Sequence, residues 1–389
     1  MSILLPAIAP LEVHRVPLPP LQELATRWTA LERRSACSFF TSWTWIGCWL
    51  QWLPARIRPE LLVVERGSET VALAIFVRGR VRRVKGMIPS RSLHLHATGM
   101  ESLDELTIEH NGLLAARGHE AESAQAVARH LLRDDPDWDE VFLDGIDPVF
   151  LFDASQLDGA RRIDREVAVH WVDLEAVRRS PRGYLGLLAS NTRNQIRSSI
   201  RRFQDAGGLR IERAASARQA GDFLEGLKQL QAARWNSRGK RASFQEPEFE
   251  RFHHELVARS FHQGCIQMLR LKIGDAVMGY FYNFVHAGSI LHYQVGIDYE
   301  RFGGSSQPGL VSHLYSVEQA AAEGLRCYSF LAGDVLYKRR MATDAGRMYW
   351  TTLQRPRVRF QIEYGLRHAR QQLRQWRSGR QPSGREAGA

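Results

Sequence analysis

Long apolar runs are missing from this chain: none approaches the length a bilayer demands, so no membrane-spanning helix is expected. Cysteine is scarce as well. Cys37, Cys48, Cys265 and Cys327 are far apart, show no CxxC spacing and each lie inside an apolar segment, which reads as free buried thiols and not as disulfides or zinc ligands. Histidine is more frequent, yet His94/His96 and His253/His254 lack Cys or acidic partners at ligand spacing, so no metal site is expected. The apolar start at 1–10 is short and has no basic stretch before it, so a cleaved signal is not expected and a cytoplasmic chain is. Lysine is also rare, so arginine carries most of the formal net charge of +11. That surplus suits an anionic ligand, a nucleic acid or an acidic membrane surface. It follows equally from an arginine-rich genome composition.

What is present suffices for two ordinary domains: 389 residues, 44% of them apolar. The two halves read as weak copies of one α/β plan. In the first, strands at 61–65 and 71–78 flank the turn Gly67-Ser68-Glu69; in the second, strands at 268–272 and 276–285 flank Gly274-Asp275. The first copy continues as a strand at 106–110, a helix at 119–133 and a strand at 140–143, with helices at 18–33 and 43–52 ahead of it. Trp43, Trp45, Trp49 and Trp52 on the second of these helices read as core packing. A crossing strand is expected at 170–174, and further strands at 209–213 and 349–353.

The stretch 265–340 is the most informative. It reads as strands at 266–272, 276–285 and 289–298, a Gly-rich loop at 301–307, a helix at 308–323 and a strand at 327–331. The loop Gly303-Gly304-Ser305-Ser306-Gln307-Pro308-Gly309 thus lies between strand and helix, where unpaired N–H groups at the positive helix end can hold phosphate oxygens. It lacks the Lys-Ser/Thr ending of a nucleotide-hydrolysing loop and the GxGxxG order of a dinucleotide fold, which sets both classes aside. Alternation along the neighbouring strands directs Tyr280, Tyr282, His292 and Gln294 toward a cleft, although a central-strand His is commonly a core residue.

Two basic helices complete the inventory. Over 191–203, Arg193, Arg197 and Arg201 form one stripe and Ile196, Ile200 and Phe203 another, giving either a solvated basic face or an anion-binding one. Long helices are expected at 217–237 and 247–262; Arg234 and Trp235, near the end of the first, are architectural or bind a carboxylate or phosphate. The C-terminal segment carries Arg367, Arg370, Arg374 and Arg377 with Leu366, Leu373 and Trp376, suited to a docked helix or to peripheral membrane contact, and 379–389 reads as disordered.

The element order resembles a GNAT acyltransferase domain, and its details resemble the CelD/BcsL-like branch, itself similar in layout to the two-domain FemABX proteins. The residues that carry this are Tyr184-Leu185, the run from Ser190 to Arg197, Ala233-Arg234-Trp235 with Arg238-Gly239, Gly296-Ile297-Asp298, Gln307-Pro308-Gly309-Leu310, Phe330-Leu331-Ala332-Gly333-Asp334 and Tyr337-Lys338-Arg339-Arg340. They cover roughly 174–353 and are specific as a set. The resemblance implies a tandem duplicated GNAT-like α/β fold with mixed sheets: a degenerate N-terminal copy at 1–165, a C-terminal acyltransferase copy at 166–355 and a basic helical tail at 356–389.

It further implies acyl transfer from acetyl-CoA or another acyl-CoA, as co-substrate, to an amine or hydroxyl acceptor such as a saccharide or amino sugar in exopolysaccharide or envelope synthesis. The coenzyme A pyrophosphate would lie on Gly303, Gly304, Ser305, Gln307, Gly309 and Leu310, although Pro308 donates no N–H and the usual family glycine pattern is not clean. Asp334 is the candidate base, Tyr337 the acid for the leaving thiolate and Lys338 a binder of an anionic group; Arg234, Trp235, Tyr282, His292 and Gln294 would contact substrate. Two other readings stay open: a FemABX-like transferase using aminoacyl-tRNA, and a non-catalytic binding module, since no Gly-rich loop precedes the helix at 119.

Overall fold

The computed structural model describes residues 9–83, 88–106, 108–153, 157, 159–365 and 372. The first half contains β1 (Leu11–Pro17), α1 (Leu21–Glu32), α2 (Trp43–Trp52), β2 (Pro59–Arg66), β3 (Glu69–Arg83), β4 (Ile88–Leu95), α3 (Glu101–Asp104), β5 (Leu114–Ala115), α4 (Glu120–Arg133) and β6 (Glu140–Ile146). The crossing strand β7 (Arg161–Asp173) leads to α5 (Leu174–Arg179), α6 (Gly183–Leu187), α7 (Ser190–Asp205), β8 (Leu209–Arg213), α8 (Ala217–Asn236) and α9 (Pro247–Ser260). Then follow β9 (Ile266–Ile273), β10 (Ala276–His286), β11 (Ser289–Ile297), α10 (Tyr299–Phe302), α11 (Pro308–Ala322), β12 (Cys327–Ala332), α12 (Leu336–Met341) and β13 (Asp344–Gln354). A last helix, α13, covers 358–365.

Each half is built on hairpins of β-branched and aromatic residues closed by tight turns, where Gly67 (φ 61) and Gly274 (φ 57) take the left-handed backbone that such turns need. All strands join one 13-stranded sheet in the order β1-β2-β3-β4-β6-β13-β7-β12-β11-β10-β9-β8, with β5 paired to β3. The expected boundary at 165/166 falls inside β7, and the sheet does not break there. Instead β7 leaves the first half to pair with β12, while β13 returns from the second half to pair with β6. β7 and β13 also pair antiparallel with each other from Arg161↔Gln354 to Trp171↔Asp344. Each half therefore borrows a strand that follows the other half in sequence.

In each half one parallel pair is short and then parts: β4 and β6 pair over Ser92–His94 with Glu140–Phe142, and β11 and β12 over Ser289–Leu291 with Cys327–Ser329. The first gap is filled. Asn111 Nδ2 donates to Leu95 O at 3.3 Å and Asp144 O at 2.9 Å, and its Oδ1 lies 2.8 Å from His96 Nδ1. Among the described residues no side-chain hydrogen bond spans the second gap, and that is where the cleft opens.

Apolar burial divides into three cores. A shared one lies between the halves, where Trp28, Trp45, Trp49 and Phe39 of the first meet Phe223, Phe252, Tyr282 and Phe284 of the second. One covers the α4 side of the first half, and one the α11 side of the second. The tryptophans of α2 are core residues, with Trp43 half-buried at the margin. All four cysteines are free, Cys48 buried and the others half-buried.

One expectation fails in the first half. The described residues 106 and 108–110 are in no strand; the strand after the hairpin is β4, hidden in the sequence because Ser90, Ser92 and His94 interrupt its apolar pattern. Those three are nonetheless buried, with Ser92 Oγ and His94 Nε2 2.8 Å apart. The basic positions Arg367, Arg370, Arg374 and Arg377, and the segment 379–389, lie outside the described residues. No helix among the described residues is long and apolar enough to cross a membrane.

Candidate active site

The cleft of about 460 Å³ opens where β11 leaves β12, between the N-terminus of α11 and the C-terminal turn of α8. The loop ahead of α11 is held from outside. Asp298 Oδ1 caps the short α10 by accepting the Arg301 N–H at 2.9 Å, and a Cβ at Gly303 would stand 2.3 Å from Tyr299 O, so only glycine fits that turn. Arg202 of α7 donates to Ser305 O at 2.6 Å, and Ser199 Oγ accepts the Gln307 N–H at 2.9 Å.

These contacts divide the expected cradle. Gln307, Pro308, Gly309 and Leu310 line the cleft; Gly303, Gly304 and Ser305 do not, because the loop is drawn toward α7. The Gln307 N–H is already used and Pro308 has none, so the free donors are the N–H groups of Gly309 and Leu310, which have no acceptor among the described residues. Both sit at the positive end of a 15-residue helix.

The opposite wall comes from α8. Glycine lets that helix approach the sheet: a Cβ at Gly296 would lie 2.7 Å from Leu227 O, and one at Gly226 2.4 Å from the Tyr280 ring. Gln231, one turn on from Leu227, donates from Nε2 to Gln294 Oε1 at 2.8 Å and to Val295 O at 2.9 Å, fixing Gln294 at the cleft edge. Beyond it the Arg234 guanidinium lies 3.9 Å from the Tyr299 ring centroid, and Trp235 is flanked by Arg238 and Lys240. Arg234, Trp235, Lys240 and Arg241 all line the cleft, and no carboxylate among the described residues does. Its field is positive.

The inner end is aromatic. His313 of α11 is buried; its Nδ1 lies 3.2 Å from Tyr328 Oη and its ring stacks on Tyr337 at 5.4 Å. Burial, aided by the nearby Lys338 charge, pushes the His313 pKa down to about 3, so the ring is neutral. Burial raises the Tyr337 phenol above its ordinary value, Tyr299 adding to the rise and Arg234 opposing it. Tyr337 is thus protonated at neutral pH.

Other expected site residues lie elsewhere. Asp334 sits one position before the cleft-lining Val335, but its half-exposed carboxylate pairs with Arg339 at 3.0 Å and lies 3.5 Å from His170 of β7. Lys338 is buried, donating to Ala332 O at 2.5 Å and Leu331 O at 3.3 Å, so it braces the end of β12 where Leu331 (φ 61) and Gly333 (φ 118) take left-handed backbone, and presents no ammonium to a substrate. Tyr282 and His292 are core residues as well. Tyr282 Oη faces His253 Nδ1 at 3.3 Å, and His292 Nδ1 faces Asn283 Oδ1 at 2.8 Å. Both sheet faces are covered here and β11 carries a bulge opposite Tyr282/Asn283, so period-two alternation does not produce a solvent-lined face.

Sequence reasoning did not find His313, Gln231, Ser199 or Tyr299. A lone His inside the apolar run of α11 was a legible signal for His313; the others depend on contacts 63 to 108 residues away in the chain. Nor did it find Glu109, whose Oε2 accepts the Ala332 N–H at 2.5 Å and brings a buried carboxylate of the first half against the second. Glu225, Glu250 and His254 place ligand atoms within 4.8 Å of one another, but Lys228 already pairs with both carboxylates.

Comparison with known proteins agrees with this architecture. Residues 190–339 match the acetyltransferase (GNAT) domain family. The layout of both halves is shared with FemX, at 9% identity and TM-score 0.52, over 86% of this chain and 96% of that one. It is shared too with the C-terminal domain of an Agrobacterium fabrum protein assigned as a lysylphosphatidylglycerol synthetase, at 12% identity and TM-score 0.50, over 87% and 93% of the two chains. A tandem GNAT protein from the clavulanic acid biosynthesis pathway is also similar, with 16% identity, 89% and 100% coverage and TM-score 0.47. No curated protein matches the chain.

Proposed function

We propose that this protein is a GNAT-type acyltransferase that moves an acyl group, acetyl or longer, from acyl-CoA to an amine or hydroxyl of a saccharide-like acceptor, in exopolysaccharide or envelope synthesis. The carrying observation is the pair of free N–H groups of Gly309 and Leu310 facing Arg234 and Lys240 in a cleft without carboxylates. That set fits a pyrophosphate: two helix-end donors and two cations, with nothing to repel an anion.

From there the unpaired edge of β11 leads inward past Val295 and Gln294 to the bulge, so an extended thioester arm has backbone groups to follow. In the reaction the acceptor's lone pair attacks the acyl carbon, the C–S bond breaks, and Tyr337 gives its proton to the departing thiolate. With no carboxylate among the described residues that line the cleft, the acceptor enters as a neutral amine or hydroxyl, its proton leaves to solvent, and Tyr337 takes a proton back from solvent to complete the cycle. Asp334 serves to hold α12 in place through Arg339.

Thiol release from acetyl-CoA, measured with a panel of amino sugars and polyols, tests this reading. Turnover with at least one acceptor, lost in Tyr337→Phe while coenzyme A binding persists, is the expected result. No thiol release with any acceptor, under conditions where coenzyme A binds, would reject it. Exposed Arg197 and Arg201 on α7, beside the loop, favour a second reading in which the donor is an aminoacyl-tRNA. tRNA that binds with a steep salt dependence and displaces coenzyme A would establish that alternative instead.

A further inference from the structure

Four of the nine large apolar side chains that stand exposed among the described residues lie on α13 and on β7, none of them lining the cleft: Val358 (71% exposed), Ile362 (56%), Tyr364 (54%) and Ile163 (37%). Val358 and Ile362 are four residues apart on α13 and so share one flank of the helix. The other flank is turned inward, with Phe360 and Glu363 buried and Glu363 held by Arg83 at 2.8 Å. Arg161 lays its guanidinium 4.8 Å from the Tyr364 ring centroid, and Ile163 lies two residues further along β7, on the same strand face as Arg161.

This apolar strip adjoins a surplus of arginine. Val358 itself lines a hollow with Arg80, Arg91, Arg357 and Arg359. Two carboxylates serve three of those cations: buried Asp139 pairs with Arg91, Arg357 and Arg359, and exposed Asp137 pairs with Arg91 as well. Arg80 stands directly opposite Arg91 in the β3–β4 ladder, a like-charge pair that destabilises a sheet left to itself. Neither Arg80 nor Arg82, two residues along on the same face, has a carboxylate partner among the described residues. That leaves Arg80 and Arg82 as the cations of this face open to an anion from outside the chain.

We propose that this face docks the protein on an anionic phospholipid surface, the arginines meeting headgroup phosphates while Val358 and Ile362 enter the boundary of the acyl region. Charge alone would serve a nucleic acid as well. Aliphatic side chains decide between them: they gain nothing against a phosphate backbone or a base face, whereas an interfacial helix needs them beside its cations. The proposal concerns a surface apart from the cleft and does not depend on the acyltransferase reading.

The test is co-sedimentation of the full chain with vesicles of phosphatidylcholine alone and of equimolar phosphatidylcholine and phosphatidylglycerol, at low and high salt. Binding to the anionic vesicles only, weakened by salt, is expected. The double variant Arg80→Glu/Arg82→Glu should lower the partition coefficient at least tenfold, each lost arginine being worth roughly fivefold. The double variant Val358→Ser/Ile362→Ser should lower it roughly tenfold with the charge unchanged. All four side chains are exposed, and an unchanged thermal midpoint checks that the fold is intact; should a double variant unfold, Ile362→Ser and Arg82→Gln alone carry the same comparison. Absence of binding to anionic vesicles at low salt overturns the proposal. So does binding that the serine variant retains in full, or association with duplex DNA or tRNA that replaces vesicle binding and ignores the serine changes.

Discussion

Gly309→Ala separates ligand binding from stability more cleanly than any other change at the cleft. Gly309 is the second residue of α11, and an added Cβ would stand 3.1 Å from Tyr299 Oη and 3.8 Å from Ile297 Cδ1, both cleft-lining groups. The methyl therefore projects into the space above the two free N–H groups. Tyr299 lies at the cleft surface and can yield the few tenths of an ångström required. On the folding side, alanine in a helix gains up to about 1 kcal/mol over glycine, so stability holds or rises. On the binding side, an anion pushed off one backbone donor loses a charge-assisted hydrogen bond of about 1.5–3 kcal/mol, a factor of roughly 10 to 150 in Kd. Calorimetric titration with coenzyme A and a thermal melt of the same sample give both numbers. An unchanged Kd in a folded variant would refute the assignment of the phosphate site, and a fall in both would mean that the glycine is required for packing and not for binding.

Four further outcomes follow from the same geometry. Gly296→Ala should fail differently, because its Cβ would meet Leu227 O at 2.7 Å and push α8 and Arg234 away; stability falls by about 1–3 kcal/mol and coenzyme A affinity falls with it, read by urea unfolding and calorimetry. Tyr337→Phe should reduce kcat about 10²- to 10⁴-fold with little change in Kd, whereas Asp334→Asn, which removes half-exposed ion pairing, changes kcat less than about fivefold; the reverse ranking would return the acid–base role to Asp334. Arg234→Ala should weaken coenzyme A binding by a factor that shrinks as salt is added. Finally, burial pushes His94 and His96 down to about 4 and His313 to about 3, below the ordinary value near 6.5. The unfolded chain then binds more protons below pH 6.5, so each of the three costs about 1.4 kcal/mol of stability per pH unit from there down to its folded pKa and nothing above it. Urea midpoints that stay flat from pH 7 to about 4.5 would contradict that burial.

The second half was legible because its elements obey local rules. Strands expected at 266–272, 276–285 and 289–298 are Ile266–Ile273, Ala276–His286 and Ser289–Ile297, and the helix expected at 308–323 is Pro308–Ala322. Gly-containing turns and Pro308 at the helix start punctuate them, and each signal is readable within a few residues. β4 was not legible, since its buried Ser92 and His94 are satisfied by each other and look polar in sequence. The interleaving of β7 and β13 was not legible either, because a strand's pattern records that it is buried and not which neighbour buries it.

The site divides along the same line. Arg234, Trp235, Gln294, Gln307, Gly309, Leu310 and Tyr337 come together at one cleft. Tyr282 and His292 do not, because both faces of the central sheet are buried, and Lys338 does not, because its ammonium is spent on the Leu331 and Ala332 carbonyls. Ser199 occupies an N–H that the sequence assigned to phosphate, and only a contact across 108 residues reveals it.

The central claim is that the cleft between α8 and the N-terminus of α11 holds the pyrophosphate of an acyl-CoA. Calorimetric titration of the full chain with coenzyme A, and with its dephosphorylated pantetheine fragment, tests it most directly. One molecule of coenzyme A per chain, bound more weakly as salt rises and far more tightly than pantetheine, is the predicted result. Equal affinity for both, or no heat with either, would contradict it.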